Sequence, residues 1–583
     1  MTVVHRIGVF WYRAQQRSEG LVADERCRLR RRCPAAIVAA AQGRSFMKRC
    51  APFSLVSLLV VSCAGSSSAV RPAASDSTLE RAVAALGGAD KLAAAKAIAI
   101  KGSVKHWEPE QSVKPGGEMR LAGESTFVQH RSFADGVTRT EWLRKMAYPA
   151  PREYKFTELV TPVAGVVEGV DSTAVPKSAS ATDPPRHAMS GVRLAAALRE
   201  LERTSPRIVF DMKADPSKVS AGSEIASNGR VAPTLRYEIG AATLMVAFDA
   251  ATGLPSRIRS MDADTIYGDS TYDLVLSDWR DVGGIKVAHT QSYELNGREV
   301  IHIQLDEVQL NPTIAPAALE IPADVAAGAP APATGDVPYQ WVLRRQFIGT
   351  YLDSDAISFD PKATESLHLV DIAPGVSQVS GGSHNSLVVE MADHVVVFDS
   401  PIGEVQSRFT LGAIHSRYPA KPIKYLVLSH HHMDHIGGAR SFVAEGAIVI
   451  VPGGSGAHIS KMFAAPHKLD GDALERSPHK AEVVEVDDKR VLTDGKRTIE
   501  ILRFDNPHVD GMLMSYVVDA RLGFVVDVFS PGRDKLGDKI TPPQAAVVAA
   551  AKRLSSVPER LAGGHGTFAD YAPLAALAAA SAR

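Results

Sequence analysis

The run "YLVLSHHHMDHIGGAR", Tyr425 to Arg440, limits what this chain can become more than any other stretch. It sets four histidines and an aspartate within six residues, directly after an apolar segment that reads as a short buried strand. Alternation along extended chain turns His430 and His432 to one side and His431 and Met433 to the other. Asp434 and His435 follow where the chain must bend. Gly437 and Gly438 then allow the close backbone approach of a tight strand-to-helix corner. A His-rich surface loop has no need of the spacing H-x-H-x-D-H, whereas groups that grip an ion must converge on one point.

If this run binds metal, further donors belong at later strand ends, and three occur in order. "DNPHVDGMLMSYVV" places His508 after the strand-like "TIEILRF", "GFVVDVFS" places Asp527 at the end of an apolar run, and "LAGGHGTF" places His565 in a Gly-flanked turn. Each alone reads more readily as a cap or a turn; their order after the cluster makes them a set. Asp399, closing the apolar "HVVVF", fits a strand-end cap and a supporting role equally well. All four cysteines, Cys27, Cys33, Cys50 and Cys63, lie in the first 63 residues. Any ion farther along must therefore be held by His and carboxylate. His384, His394, His458, His467 and His479 lie at turns or in the segment Gly453–Lys480 and are read as surface residues.

A chain of 583 residues exceeds one core, and two folded domains behind an export segment are expected. Lys+Arg and Asp+Glu are equal at 65 each, which leaves no global basic field for polynucleotide or anionic lipid. Residues 1–46 are Arg-rich, contain no Lys and show no periodicity, so they read as an upstream extension with the true start at Met47. Residues 47–77 follow as signal peptide and tether: Lys48 and Arg49 form the basic end and Pro52 to Val61 the short apolar core. "VVSC" resembles a bacterial lipobox, which implies a lipid on Cys63 and a membrane tether there; cleavage at Ser68 or Ala69 is the alternative. Either way the protein is expected to be exported, to the periplasm or to the outer membrane as an anchored lipoprotein.

In residues 78–322, "STLERAVAALGGADKLAAAKAI" predicts two short helices broken at Gly87-Gly88, and strand-like runs follow, interrupted by one helix at "GVRLAAALRELERT". Asn296-Gly297 in "ELNGRE" signals a hairpin. This part reads as a mainly antiparallel β (α+β) domain. Its ending, "DWRDVGGIKVAHTQSYELNGREVIHIQLDEVQLNPTIAPAALEIP", resembles outer-membrane lipoprotein-carrier-like domains, which implies a surface for an apolar ligand or envelope partner; a plain scaffold reads equally well. Residues 323–337 form a Pro/Ala/Gly linker, and residues 338–583 alternate strands with helical stretches, the mark of a layered α/β domain.

From about Gln346 to Leu574 the chain resembles the metallo-β-lactamase-fold hydrolase superfamily, on Asp399 in "VVVFDSP", the cluster "HHHMDH", His508, Asp527 and His565. The resemblance implies a four-layer αββα sandwich with two Zn2+ along one sheet edge, iron or manganese being alternatives. His430, His432 and His508 would hold the first ion, Asp434, His435 and His565 the second, with Asp527 bridging and Asp399 supporting the loop. It also implies hydrolysis of a small molecule, an ester, lactone or amide, by a water whose pKa two ions lower toward about 7. Asp434 would both ligate and orient that nucleophile. Gly453–Lys480 would be a substrate-covering loop to which Met462 and Phe463 give an apolar face, although core packing explains both equally. β-Lactamase activity is an alternative against which Asp527 counts, because true β-lactamases of this fold generally carry Cys or Ser at the bridging position. An envelope lipid- or partner-binding protein with a non-catalytic metal domain is another, and a mononuclear iron centre a third.

Overall fold

Period-two alternation dominates residues 97–310, and in the computed structural model it becomes one thirteen-strand antiparallel sheet. The structure describes residues 73–172, 179–180, 182–227, 230–240, 242–334, 353, 366–382 and 384–582. The upstream extension, the signal segment and Cys63 lie outside the described residues, as do linker residues 335–337. Residues Val70–Arg583 form one compact unit.

The first strand of the large sheet, Ala97–Glu108, pairs with its sequence neighbour Arg120–Ser132 and also with the last strand, Arg298–Leu310. The two ends of this domain therefore meet mid-sheet, and the edges fall at Arg186–Ala188 and Val219–Ala221. Asn296 and Gly297, at φ 50° and 80°, make the tight turn before the last strand. Helices Ala73–Ala85 and Ala89–Ala94 break at Gly87-Gly88, whose φ of 122° and 95° suit only glycine. Helix Gly191–Arg203 is capped by Ser190, whose side chain accepts from the Arg193 backbone N–H. Its buried Arg203 donates to the carbonyls of Ile258 and Tyr272 and stacks near the rings of Tyr272 and Tyr293. A second helix, Ile208–Ala214, interrupts the strands where only one was expected. Its short apolar run has no helical signature of its own; burial of Ile208, Val209 and Met212 in the core selects the conformation. Of the Pro/Ala/Gly stretch, Ala323–Ala326 forms a single helical turn and the Ala333 N–H donates to the Gly191 carbonyl at 2.8 Å.

Beyond it stand two sheets of seven and six strands. Residues in "VVVF", Val395–Phe398, are all buried because alternate side chains serve two cores. Val396 and Phe398 face the second sheet, where Phe398 meets Phe524 at 6.1 Å between ring centroids. Val395 and Val397 face helices Glu404–Arg417 and Ala439–Ala444 through Ile414 and Phe442. Helices Pro542–Ala551 and Ala572–Ser581 pack onto the second sheet through Val547, Val548 and Leu574. The layers are thus helix, sheet, sheet, helix, the αββα order expected. Met462 and Phe463 belong to the helix-side core, so packing accounts for both.

One end of the thirteen-strand sheet meets this sandwich. The turn between strands Pro255–Asp264 and Gly268–Val282 inserts Ile266 into the helix-side core, and Asp269 N–H donates to the Pro466 carbonyl at 2.7 Å. Asp269 also accepts from the backbone N–H groups of Lys468 and Leu469. Ile266→Ala should destabilise the protein by about 2–4 kcal/mol, read as a lower urea midpoint. An unchanged midpoint would show that the turn is not docked.

Candidate metal centre

Strand direction decides where the donors go. Strands Val395–Phe398 and Ile423–Val427 run parallel, so Asp399 and the His430–His435 loop leave the first sheet at the same edge. In the second sheet Leu522–Val525 and Arg560–Gly563 are parallel, and Thr498–Phe504 runs the same way, being two antiparallel steps removed. Asp527, His565 and His508 follow the C-terminal ends of these three strands. The structure brings all seven proposed ligands together at that shared edge.

Together with His384 they fall into two sets of donor atoms, each within 4.8 Å of one another: His430, His432, His508 and Asp527, and His384, Asp434, His435 and His565. In the first, His508 Nε2 lies 3.1 Å from His432 Nδ1 and 3.0 Å from Asp527 Oδ2, and His430 Nε2 lies 3.1 Å from the same oxygen. In the second, His384 Nε2 lies 3.0 Å from Asp434 Oδ2. Asp527 Oδ1 turns to this set, 3.1 Å from His435 Nε2 and 2.6 Å from His565 Nε2. One carboxylate therefore faces both sets, an oxygen to each.

Supporting groups fix which ring nitrogens carry protons. Asp399 Oδ2 lies 2.8 Å from His435 Nδ1, so that nitrogen donates and Nε2 presents its lone pair to Asp527. His432 Nε2 lies 2.9 Å from the Ser112 carbonyl, which can only accept, so Nδ1 is the lone-pair nitrogen facing His508. Among the described residues no Lys or Arg pairs with Asp434 or Asp527. Lone pairs facing carboxylate oxygens at about 3 Å need something positive between them, and the donor set, imidazole and carboxylate without thiolate, fits zinc or a similar divalent ion. Protonation expresses the same demand. Burial opposes charge on His435, yet the Asp527, Asp399 and Asp434 carboxylates raise its pKa well above the ordinary value. That proton occupies the role of a cation. Burial lowers His430 to about 4 and His384 to about 3, so both are neutral and available to ligate at pH 7.

Asp399 is the hub of the loop. Its Oδ1 accepts from the Ser429 N–H at 2.7 Å, and Oδ2 accepts from the Ser429 hydroxyl at 2.9 Å as well as from His435. Asp399 and Asp527 both hold left-handed backbone, at φ 57° and 51°, a conformation aspartate tolerates better than most residues and one that clusters at functional sites. Gly437 and Gly438 are demanded by space and not by φ: a Cβ there would overlap the Ile402 carbonyl and the Ser407 hydroxyl.

Several histidines differ from the surface residues expected. His384 is buried and stands in the second donor set, and His394 and His467 are buried as well; His458 is half-buried, and His479 is exposed. His384 sits in "GGSHNS", a Gly-flanked histidine beside an apolar strand, the same kind of signal that singled out His565. A further group comes from the other domain. Gln111 Nε2 donates to Asp434 Oδ1 at 2.7 Å, Tyr148 OH donates to Gln111 Oε1 at 2.5 Å, and Arg120 donates to the His508 carbonyl at 2.8 Å. Burial, then the Asp434 and Asp527 charges, raises the Tyr148 phenol well above its usual value, so it keeps its proton. Nothing in the sequence pattern marks these residues.

Two sheets sandwiched between helices, with imidazoles and carboxylates gathered at one edge, make a layered α/β domain with a candidate metal centre. Residues 379–565 match the sequence model of the Metallo-beta-lactamase superfamily, and the C-terminal region of the chain is a domain of that superfamily, whose members are generally hydrolases. A linear primary-alkylsulfatase of Pseudomonas sp is 31% identical over 78 residues, 13% of this chain and 12% of that protein's length. Among solved structures, a metallo-beta-lactamase from Pontibacter korlensis is 14% identical, with a TM-score of 0.29, over 37% of this chain and 99% of its own. A stereoselective inverting sec-alkylsulfatase from Pseudomonas sp. is 16% identical, with a TM-score of 0.27, over 36% of this chain and 40% of its own.

Asp399→Asn should weaken zinc binding about 10- to 100-fold, because His435 and Ser429 lose their shared acceptor. Competition against a chromogenic chelator measures this, and unchanged affinity would remove Asp399 from the centre.

Proposed function

We propose that the protein is an exported metal-dependent hydrolase of an ester, lactone or amide, with two divalent ions, zinc by preference, at the paired donor sets. The observation that carries this reading is Asp527 facing both sets, one oxygen to each. Bound ions would lower the pKa of a water held between them toward about 7 and polarise the bond to be broken. The chain's own residues do the rest. His430, His432 and His508 would hold one ion and Asp434, His435 and His565 the other, with His384 positioned to join the second set. Asp434 keeps Oδ2 toward the second set and is placed to orient the attacking water and take its proton. Burial of His384, His430, His432 and His435 limits access of bulk water, which strengthens the charge interactions around them.

A sulfate ester is a second reading, favoured by the stretch shared with the primary alkylsulfatase. Both readings use the same donors and differ in the group that must be polarised. On the N-terminal domain, a cavity of about 150 Å³ lined by Phe127, Trp142, Leu201, Tyr293 and Leu305 is where an apolar ligand would bind. Among the described residues no helix is long and apolar enough to cross a membrane, and we assign the membrane tether to a lipid on Cys63.

A panel of chromogenic carboxylic esters, a lactone, a cephalosporin, a sulfate monoester and a phosphodiester tests the reaction. Turnover of one class should vanish on chelation and return with zinc, and Asp434→Asn should lower it by about 100-fold or more at unchanged fold. Full activity of that variant would contradict its assigned role. For the tether, the wild-type protein made in a bacterial host should incorporate labelled palmitate and sediment with membranes, and Cys63→Ala should do neither. Equal behaviour of the two would rule the lipid out.

A further inference from the structure

The connection between strands Ala97–Glu108 and Arg120–Ser132 of the N-terminal sheet does not simply turn. It forms a short 3-10 turn, Pro109–Gln111, and Pro109, Glu110, Gln111 and Ser112 are all buried. Polar residues at a hairpin end normally face water, so their burial needs a partner surface. That surface is the metal edge of the other domain. The Ser112 carbonyl receives both His431 Nε2 and His432 Nε2 at 2.9 Å, and the Val113 carbonyl accepts from the Asp510 N–H at 2.9 Å. Arg120 reaches the carbonyl of His508 and stacks 4.6 Å over the Tyr148 ring.

From these contacts we infer that the Pro109–Ser112 segment is a working part of the metal centre, with Gln111 the positioning residue for Asp434; this rests on the two-ion reading of the site. The amide of Gln111 has only one orientation open to it. Tyr148 OH donates to one end, which must be the oxygen, so the NH2 end points at Asp434 Oδ1. The bond holds one oxygen of Asp434 and leaves the other, Oδ2, with His384, His435 and His565. A neutral donor suits this place. Lys or Arg would satisfy the same oxygen but cancel the negative charge that attracts a cation, whereas an amide fixes the geometry and leaves the charge intact.

The Ser112 carbonyl acts on the first set in a comparable way. By accepting from His432 Nε2 it selects the tautomer whose Nδ1 lone pair turns toward His508 and Asp527. A domain that contributes no ligand thus sets the rotamer of one carboxylate and the tautomer of one imidazole. Each ion position leans on one of these contacts.

The experiment titrates full-length, metal-stripped protein with zinc alone, against a chelator, and follows cobalt substitution by its visible spectrum. Wild type should bind two equivalents. Gln111→Leu should weaken one equivalent about 10- to 100-fold and leave the other within about threefold, with cobalt bands changed for the weaker ion only. Tyr148→Phe, which keeps the ring and frees the amide to rotate, should weaken the same equivalent by a smaller factor. Gln111→Asn, whose amide is one methylene short, should behave as Gln111→Leu. If wild type binds two ions and Gln111→Leu and Tyr148→Phe bind both with wild-type affinity, the inference fails and the two-ion reading stands. If wild type binds fewer than two, the two-ion reading itself fails. Should Gln111→Leu lose its folded circular dichroism, the Tyr148→Phe titration decides alone, and unchanged affinity there overturns the inference.

Discussion

Asp527 is a carboxylate whose side chain is only 10% exposed, with imidazoles on both sides and, among the described residues, no Lys or Arg partner. A charge so placed is expensive unless something positive sits against it, and neutral histidines offer only lone pairs and N–H groups. The rest of the edge follows from that demand. Asp399 turns the His435 lone pair inward, Ser112 does the same for His432, and the strand ends bring His508 and His565 from the second sheet. The Asp527, Asp399 and Asp434 carboxylates raise His435 well above its ordinary value, which expresses the same preference for positive charge. Carboxylates that favour positive charge among them suit a divalent cation.

The sandwich and its edge were legible in sequence because both depend on short-range patterns. Apolar runs such as "VVVF" and "TIEILRF" mark buried strands, and a polar donor directly after each one marks the edge. Asp399, His508, Asp527 and His565 announce themselves in this way, and the H-x-H-x-D-H cluster carries its own spacing. His384 was overlooked although its Gly-flanked setting resembles that of His565. It precedes a strand instead of following one, and only the antiparallel pairing of Ser386–Glu390 with Val395–Phe398 brings its end of the strand to the same edge. Helix Ile208–Ala214 was missed because seven residues carry less than two turns of periodicity, and packing decides so short a segment.

Gln111, Ser112, Arg120 and Tyr148 could not have been read from the chain. Gln111, Ser112 and Arg120 stand 320 to 388 positions before the ligands they touch, and Tyr148 acts through Gln111, all within a stretch whose alternation speaks only of a sheet. Their roles come from how two domains meet, which no local pattern records. The docking itself is ordinary packing and hydrogen bonding, with Ile266 in the helix-side core and Asp269 bonded to the backbone of Pro466 and Leu469. That contact brings the Pro109–Ser112 turn against the metal edge. Fold and site are linked there: a loss of registry between the domains would reach Asp434 and His432 directly.

Anomalous diffraction at the zinc edge, from crystals of the full chain grown with zinc, tests the central claim most directly. The account predicts two peaks flanking Asp527: one within about 2.1 Å of nitrogens from His430, His432 and His508, the other at similar distances from His435, His565 and Asp434. A single peak away from Asp527, or none at this edge with zinc in excess, would contradict it.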